Sequence, residues 1–135
     1  MTIQLSVSVR NARLDAFETN VGASAVLKIF TGSMPANCAT ADSGTLLANM
    51  SLPSDWMNAA SSGSKTKNGT WSDASADGTG TAGYFRLYAS DGTTCGLQGT
   101  ITGTGGGGDM ELDNTSIAAG QAVTISVFTL TDGNA

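Results

Sequence analysis

Beyond Gly22 the apolar residues of this chain arrive in short alternating bursts, clearest at Ala25-Val26-Leu27-Lys28-Ile29-Phe30 and Val123-Thr124-Ile125-Ser126-Val127-Phe128, bounded by glycine, serine and threonine. A period of two puts neighbouring side chains on opposite faces, which is the pattern of half-buried strands. The expected fold is therefore mainly β, an antiparallel β-sandwich or small barrel with one N-terminal α-helix. A chain of 135 residues has the length of one domain, and such a domain buries roughly two thirds of its unfolded surface. Residues 1–22 are expected to form an N-terminal arm and helix, and residues 23–135 a β-sandwich that makes a single globular unit with it.

The first twenty residues carry two patterns. Ile3, Leu5, Val7 and Val9 alternate with polar residues as a strand would, while Leu5, Val9, Ala12 and Ala16 are spaced by four, three and four as one stripe of a helix. Val7, Leu14 and Val21, with Phe17 beside them, form a second stripe on another face. A short extended start running into a helix over about 8–20 accommodates both, with Gly22 as its C-terminal cap. A helix on a single small core needs one apolar face. The second face can meet another part of the same domain or another subunit.

Strands are expected over 24–30 and 45–52, with a loop from Thr31 to Gly44 between them. The Trp56- and Trp71-bearing stretch 53–82 reads as a long excursion. Gly83 to Ala89 and Thr94 to Thr102 form the clearest hairpin, turned at Asp91-Gly92, with Tyr84, Arg86 and Tyr88 on one face of the first strand. The four consecutive glycines at 105–108 make a bend or hinge, and the last strand runs from Ala122 to Thr131.

Six Lys and Arg against eleven Asp and Glu give a net charge of −5, and the cations are scattered, so a nucleic-acid partner is not expected. Charged residues make up 13% of the chain, about half the usual share, which leaves a surface of hydroxyls and glycine backbone. No segment approaches the roughly 20 apolar residues of a membrane helix. Met1 to Val9 lacks the basic leader and unbroken apolar run of a secretory signal, so synthesis in the cytosol is expected.

No histidine is present, so the abundant serines and threonines lack the usual base that would activate a nucleophile. Enzyme activity is not expected. Asp73-Ala74-Ser75-Ala76-Asp77-Gly78 spaces its oxygens like the start of a calcium loop, but Tyr84 occupies the twelfth position, where a bidentate acid is required, and an ordinary turn is favoured. Asp109, Glu111 and Asp113 would share one side of a short strand, as a solvated edge does. No cofactor or metal is expected. Trp56, Trp71, Tyr84 and Tyr88 could form a sugar-binding platform, but packing is the more common use of large aromatics in a small core. A bridge between Cys38 and Cys95 would close a loop of about 57 residues and stabilise the fold by on the order of 4 kcal/mol. Two buried free thiols are the alternative, and the spacing leaves both open.

The opening Met1-Thr2-Ile3-Gln4-Leu5-Ser6 and Val9-Arg10-Asn11-Ala12-Arg13-Leu14-Asp15-Ala16, with Leu52-Pro53-Ser54-Asp55-Trp56-Met57, Phe85-Arg86-Leu87-Tyr88 and Asn114-Thr115-Ser116-Ile117-Ala118-Ala119-Gly120-Gln121, resembles small virion structural proteins of tailed bacteriophages. The resemblance spans nearly the whole chain and carries no catalytic signature. It implies a capsid decoration (cement) protein that binds the outer shell of the virion, with the major capsid protein or another virion protein as partner and a homo-oligomer, trimer favoured. A tail, connector or fibre-associated component is the alternative within the virion, and a carbohydrate-binding adhesin the alternative class. The residues expected at partner contacts are Leu5, Val9, Ala12, Ala16, Phe17, Trp56 and Trp71.

Overall fold

A computed structural model describes residues 3–133. The helix α1 spans Val7–Val21, a residue beyond the expected span at each end. Ser6 caps its start by accepting from the Val9 N–H, and Gly22, at φ 94°, ends it with its own N–H on the Glu18 carbonyl. Strands follow as β1 (Val26–Thr31), β2 (Leu46–Ser51), β3 (Ser64–Thr66), β4 (Trp71–Asp73), β5 (Gly80–Tyr88), β6 (Cys95–Gly103), β7 (Met110–Leu112), β8 (Ser116–Ile117), β9 (Val123–Ile125) and β10 (Thr129–Thr131). The principal sheet has the order β2-β1-β5-β6-β7, with β8 pairing the start of β5, and two short ladders, β10-β3 and β4-β9, complete the strands. Pairing is antiparallel except between β6 and β7. The fold is mainly β, with one N-terminal helix and a multistranded sheet.

Register sorts the sheet into two faces. Leu27 and Ile29 lie opposite Leu87 and Phe85, and these in turn face Leu97 and Gly99. This face meets α1 and the short ladders in one apolar cluster that includes Val21, Trp56, Trp71, Ile125 and Phe128, with Phe17 packed against it. A string of rings crosses the cluster: Phe17 to Trp56 at 5.9 Å, Trp56 to Trp71 at 6.2 Å, Trp71 to Phe128 at 5.5 Å and Phe128 to Phe85 at 5.6 Å. Edge-on and tilted contacts at these separations add to the area that the rings bury. Gly99 gives Phe85 its place, since a Cβ there would come within 2.6 Å of the ring.

The opposite face carries Phe30, stacked on Tyr84 at 5.1 Å, and then Arg86, Tyr88 and Gln98. The loop between β1 and β2 lies across it. Arg86, only 2% exposed, donates to the Asn37 and Thr40 carbonyls at 3.0 and 2.8 Å and to Gln98 Oε1 at 2.9 Å. Gln98 Nε2 reaches the Pro35 carbonyl, and the Tyr84 hydroxyl both donates to the Ser43 carbonyl and accepts from its N–H. A burst of alternation thus becomes a strand buried on both sides, because polar groups of an irregular loop satisfy its second face.

Two expectations are corrected. The segment expected as one last strand, 122–131, is two: β9 pairs with β4 and β10 with β3, and between them Phe128 turns inward while Val127 is 70% exposed. The excursion 53–82 contains β3, β4 and the first residues of β5, strands too short to show a period. Asp109, Glu111 and Asp113 lie exposed along the edge strand β7, alternating with buried Met110 and Leu112, and two of them also close the glycine bend: Asp109 takes the Thr100 N–H at 2.8 Å, and Glu111 takes those of Gly105 and Gly107 at 3.1 Å.

The outer edge of β2 is occupied as well. The Asn49 N–H donates to Asp73 and the Leu47 carbonyl accepts from the Asp77 N–H, so the turn that resembled a calcium loop is pinned to the sheet. Asp73 also accepts from the Ser75 N–H. No helix among the described residues is long and apolar enough to cross a membrane.

Replacing Arg86 by Met leaves the Asn37 and Thr40 carbonyls and Gln98 without their donor. The expected cost is about 3 kcal/mol in urea unfolding, with Arg86→Lys recovering only part of it because an ammonium lacks the planar fork.

Candidate interaction surface

The helix is tied to the body through its polar residues. Lys65 on β3 is 2% exposed, and its ammonium lies 2.7 Å from Asp15 Oδ1 and 2.8 Å from Glu18 Oε2. The same two carboxylates accept from the chain, Asp15 from the Ala60 N–H at 2.9 Å and Glu18 from the Met57 N–H at 3.1 Å. Asn11 accepts from the Gly63 N–H at 2.8 Å and Arg10 donates to the Asp132 carbonyl at 3.1 Å. Arg13 Nε sits 3.2 Å from Asp132 Oδ2, a charge contact whose angle forms no hydrogen bond. Leu14 and Val21 are buried on this side, and Phe17 is half-buried against Trp56.

The other side of α1 is open. Val9 is 46% exposed, Ala12 and Ala16 are exposed in line with it, and Leu5 before the helix is half-buried. The two stripes have therefore separated as core and surface, except that Val7 in the first turn is exposed. Ile3 adds a further exposed apolar side chain ahead of the helix. Small side chains at Ala12 and Ala16 allow a partner backbone to approach closely. Beside the helix an open groove of about 300 Å³, lined by Leu14, Phe17, Leu97 and Leu130, extends the apolar surface.

Trp56 and Trp71, expected at a partner contact, are fully buried. Their indole N–H groups are spent on the Gly22 and Asn68 carbonyls at 2.9 and 3.1 Å. Tyr84 and Tyr88 are buried on the far face of the sheet. Packing, the use favoured for these aromatics, is what the structure shows, and the partner contact expected of Trp56 and Trp71 is corrected: the two indoles bridge helix and sheet, where their area stabilises most. Of the seven expected contact residues, the structure brings Val9, Ala12 and Ala16 together on the surface and leaves Leu5 and Phe17 at its margins.

A cleft of about 440 Å³ lies at the end of the helix between Glu18, Gly22, Asp55, Trp56 and Lys65. Burial alone would lower the Lys65 ammonium, but the hydrogen bonds to Asp15 and Glu18 outweigh it and hold the ammonium above its ordinary value. Lys65 is thus a fixed cation and not a free nucleophile. Its hydrogen bond, with that of the Ala60 N–H, holds the Asp15 carboxyl below the usual range. Nothing in the local pattern around Lys65 announces this role. For Arg86 the signal was visible, a cation alternating with two tyrosines on one strand face.

Stability from Asp15 is fully present above its ordinary value of 3.8 and is lost as pH falls through its lower folded value. Stability from Lys65 is present below 10.5 and is lost as pH rises through its raised folded value. Asp15→Asn is expected to cost roughly 1 kcal/mol at neutral pH, since solvent screens this half-exposed carboxylate. Urea titrations between pH 2 and 7 should show a shallower acid limb for the variant than for the parent chain. Comparison with family models, with curated proteins and with solved structures finds no match for this chain.

Proposed function

We propose that this chain is a structural protein of a bacteriophage virion, a capsid decoration protein that occupies the outer shell and stabilises it. The observation that carries the reading is the outward face of α1. A helix held by ion pairs to the buried Lys65 keeps Val9, Ala12 and Ala16 in solvent, although burying them in its own core would have stabilised the domain. An apolar strip fixed on a rigid support suits a flat partner surface.

The low charge of the surface supports the same reading, as does the resemblance of the N-terminal, Trp56-bearing and Gly120-bearing segments to small virion proteins. On a capsid, many copies each contribute a modest contact, and repetition on a fixed lattice replaces high affinity at one site. The partner on this reading is the major capsid protein or another virion protein, with a trimer of this chain as the decorating unit. Burial of Trp56 and Trp71 removes the main support for a glycan-binding adhesin. A tail or connector component differs from a decoration protein in copy number.

Mass spectrometry of purified particles should find copy numbers comparable to the shell protein, and mild stripping should release the chain from intact shells. A few copies per particle would instead assign it to the tail or connector. Ala12→Glu and Ala16→Glu should leave unfolding free energy within about 0.5 kcal/mol of the parent and weaken rebinding to stripped shells by roughly tenfold or more, a loss of at least about 1.4 kcal/mol. Unchanged rebinding by both variants would overturn the proposed contact face.

A further inference from the structure

Cys38 lies in the loop between β1 and β2, and Cys95 opens β6 as the register partner of Tyr88. The two half-buried thiols are 57 residues apart in sequence, with their sulfurs 2.8 Å apart. That separation is closer than two unbonded sulfur atoms ordinarily rest. It exceeds a disulfide bond, about 2.05 Å, by less than roughly 1 Å.

The backbone around both residues is set independently of the sulfurs. Arg86 grips the carbonyls of Asn37 and Thr40 on either side of Cys38. Asn37 Oδ1 accepts from the N–H groups of Ala39 and Thr40 at 3.0 Å each, closing a turn around the cysteine. Cys95 is placed by the β5–β6 ladder, where Arg86 pairs with Gln98. The elements that carry the thiols are thus already docked.

We propose that Cys38 and Cys95 are joined as an intramolecular disulfide, which makes the loop between β1 and β2 a covalent strap over the Arg86 face of the sheet. Glutathione disulfide, or another small disulfide of its class, is the oxidant. One cysteine thiolate attacks it, forming a mixed disulfide and releasing one glutathione. The second cysteine thiolate attacks the protein sulfur of that mixed disulfide and releases the other. Two thiol protons and two electrons pass from the protein, and two glutathione thiols are formed.

Burial pushes the Cys95 thiol up to about 12, with the neighbouring Cys38 adding to the shift. A thiol of that kind is seldom ionised and leaves slowly, so the bond forms slowly without a catalyst and, once made, resists exchange. The strap therefore closes in oxidising surroundings and persists there.

The test uses the full chain, purified under reduction and then divided, one half incubated with glutathione disulfide at mildly alkaline pH. Both halves are blocked with N-ethylmaleimide and digested with trypsin without reduction. Cleavage after Lys28, Lys65 and Arg86 leaves Cys38 in the peptide 29–65 and Cys95 in the peptide 87–135. The oxidised half should yield these two as one species, lighter than their sum by two hydrogens and free of maleimide. Its melting temperature should exceed that of the reduced half by roughly 10 °C. A Cys38→Ser/Cys95→Ser double variant should melt with the reduced protein whether or not the oxidant is present. Separate maleimide- or glutathione-bearing peptides after prolonged oxidation, or bridges found only between chains, would overturn the assignment. Equal melting of the oxidised and reduced parent chains would overturn the strap, and this comparison requires no variant to fold.

Discussion

A guanidinium buried within the sheet organises this molecule. Arg86 is buried in the middle of the sheet, and its hydrogen-bond partners are two loop carbonyls and one amide oxygen. Removing a charge from water is costly unless each donor is satisfied. The loop from Gly32 to Thr45, itself largely exposed, is the source of that satisfaction. This one contact explains why a chain with few apolar residues to spare can cover both faces of its sheet. An irregular segment replaces a second apolar layer on that side, and the register of β5 with β6, which brings Gln98 opposite Arg86, follows the same demand.

Lys65 plays the corresponding part on the other side of the domain. Its two carboxylate partners come from α1, one turn apart, and each also holds a backbone N–H of the segment 57–60. The helix is therefore positioned by polar geometry more than by apolar area, which leaves part of its apolar surface unused. Position without full burial is what makes an outward stripe compatible with a stable fold.

Much of this was legible in the sequence where a period was long enough to read. The alternation over 24–30 and 83–89 marks β1 and β5, Asp91-Gly92 marks the turn of the main hairpin, and Gly22 marks the end of α1. The two apolar stripes of the helix were also visible, though nothing in their spacing told which one faces the core, since that depends on where Lys65 and Trp56 arrive from distant segments. The strands β3, β4 and β7 span three residues each, too few for any pattern, and the break at 126–128 arises because Phe128 is drawn to Trp71 and Phe85. The burial of both tryptophans lay beyond sequence reasoning for a similar reason. An isolated aromatic in a Ser- and Gly-rich stretch looks the same whether its partners are other rings or a ligand.

The pinned flank of β2 has a further consequence. A sheet ending in a bare strand invites the next molecule to continue it, and crowding makes that extension faster. Here Asp73 and Asp77 occupy the outward amide and carbonyl of Asn49 and Leu47, while the far margin is a strand of only three residues. Copies brought to high local density would meet at these margins through side chains and not by zipping their backbones together.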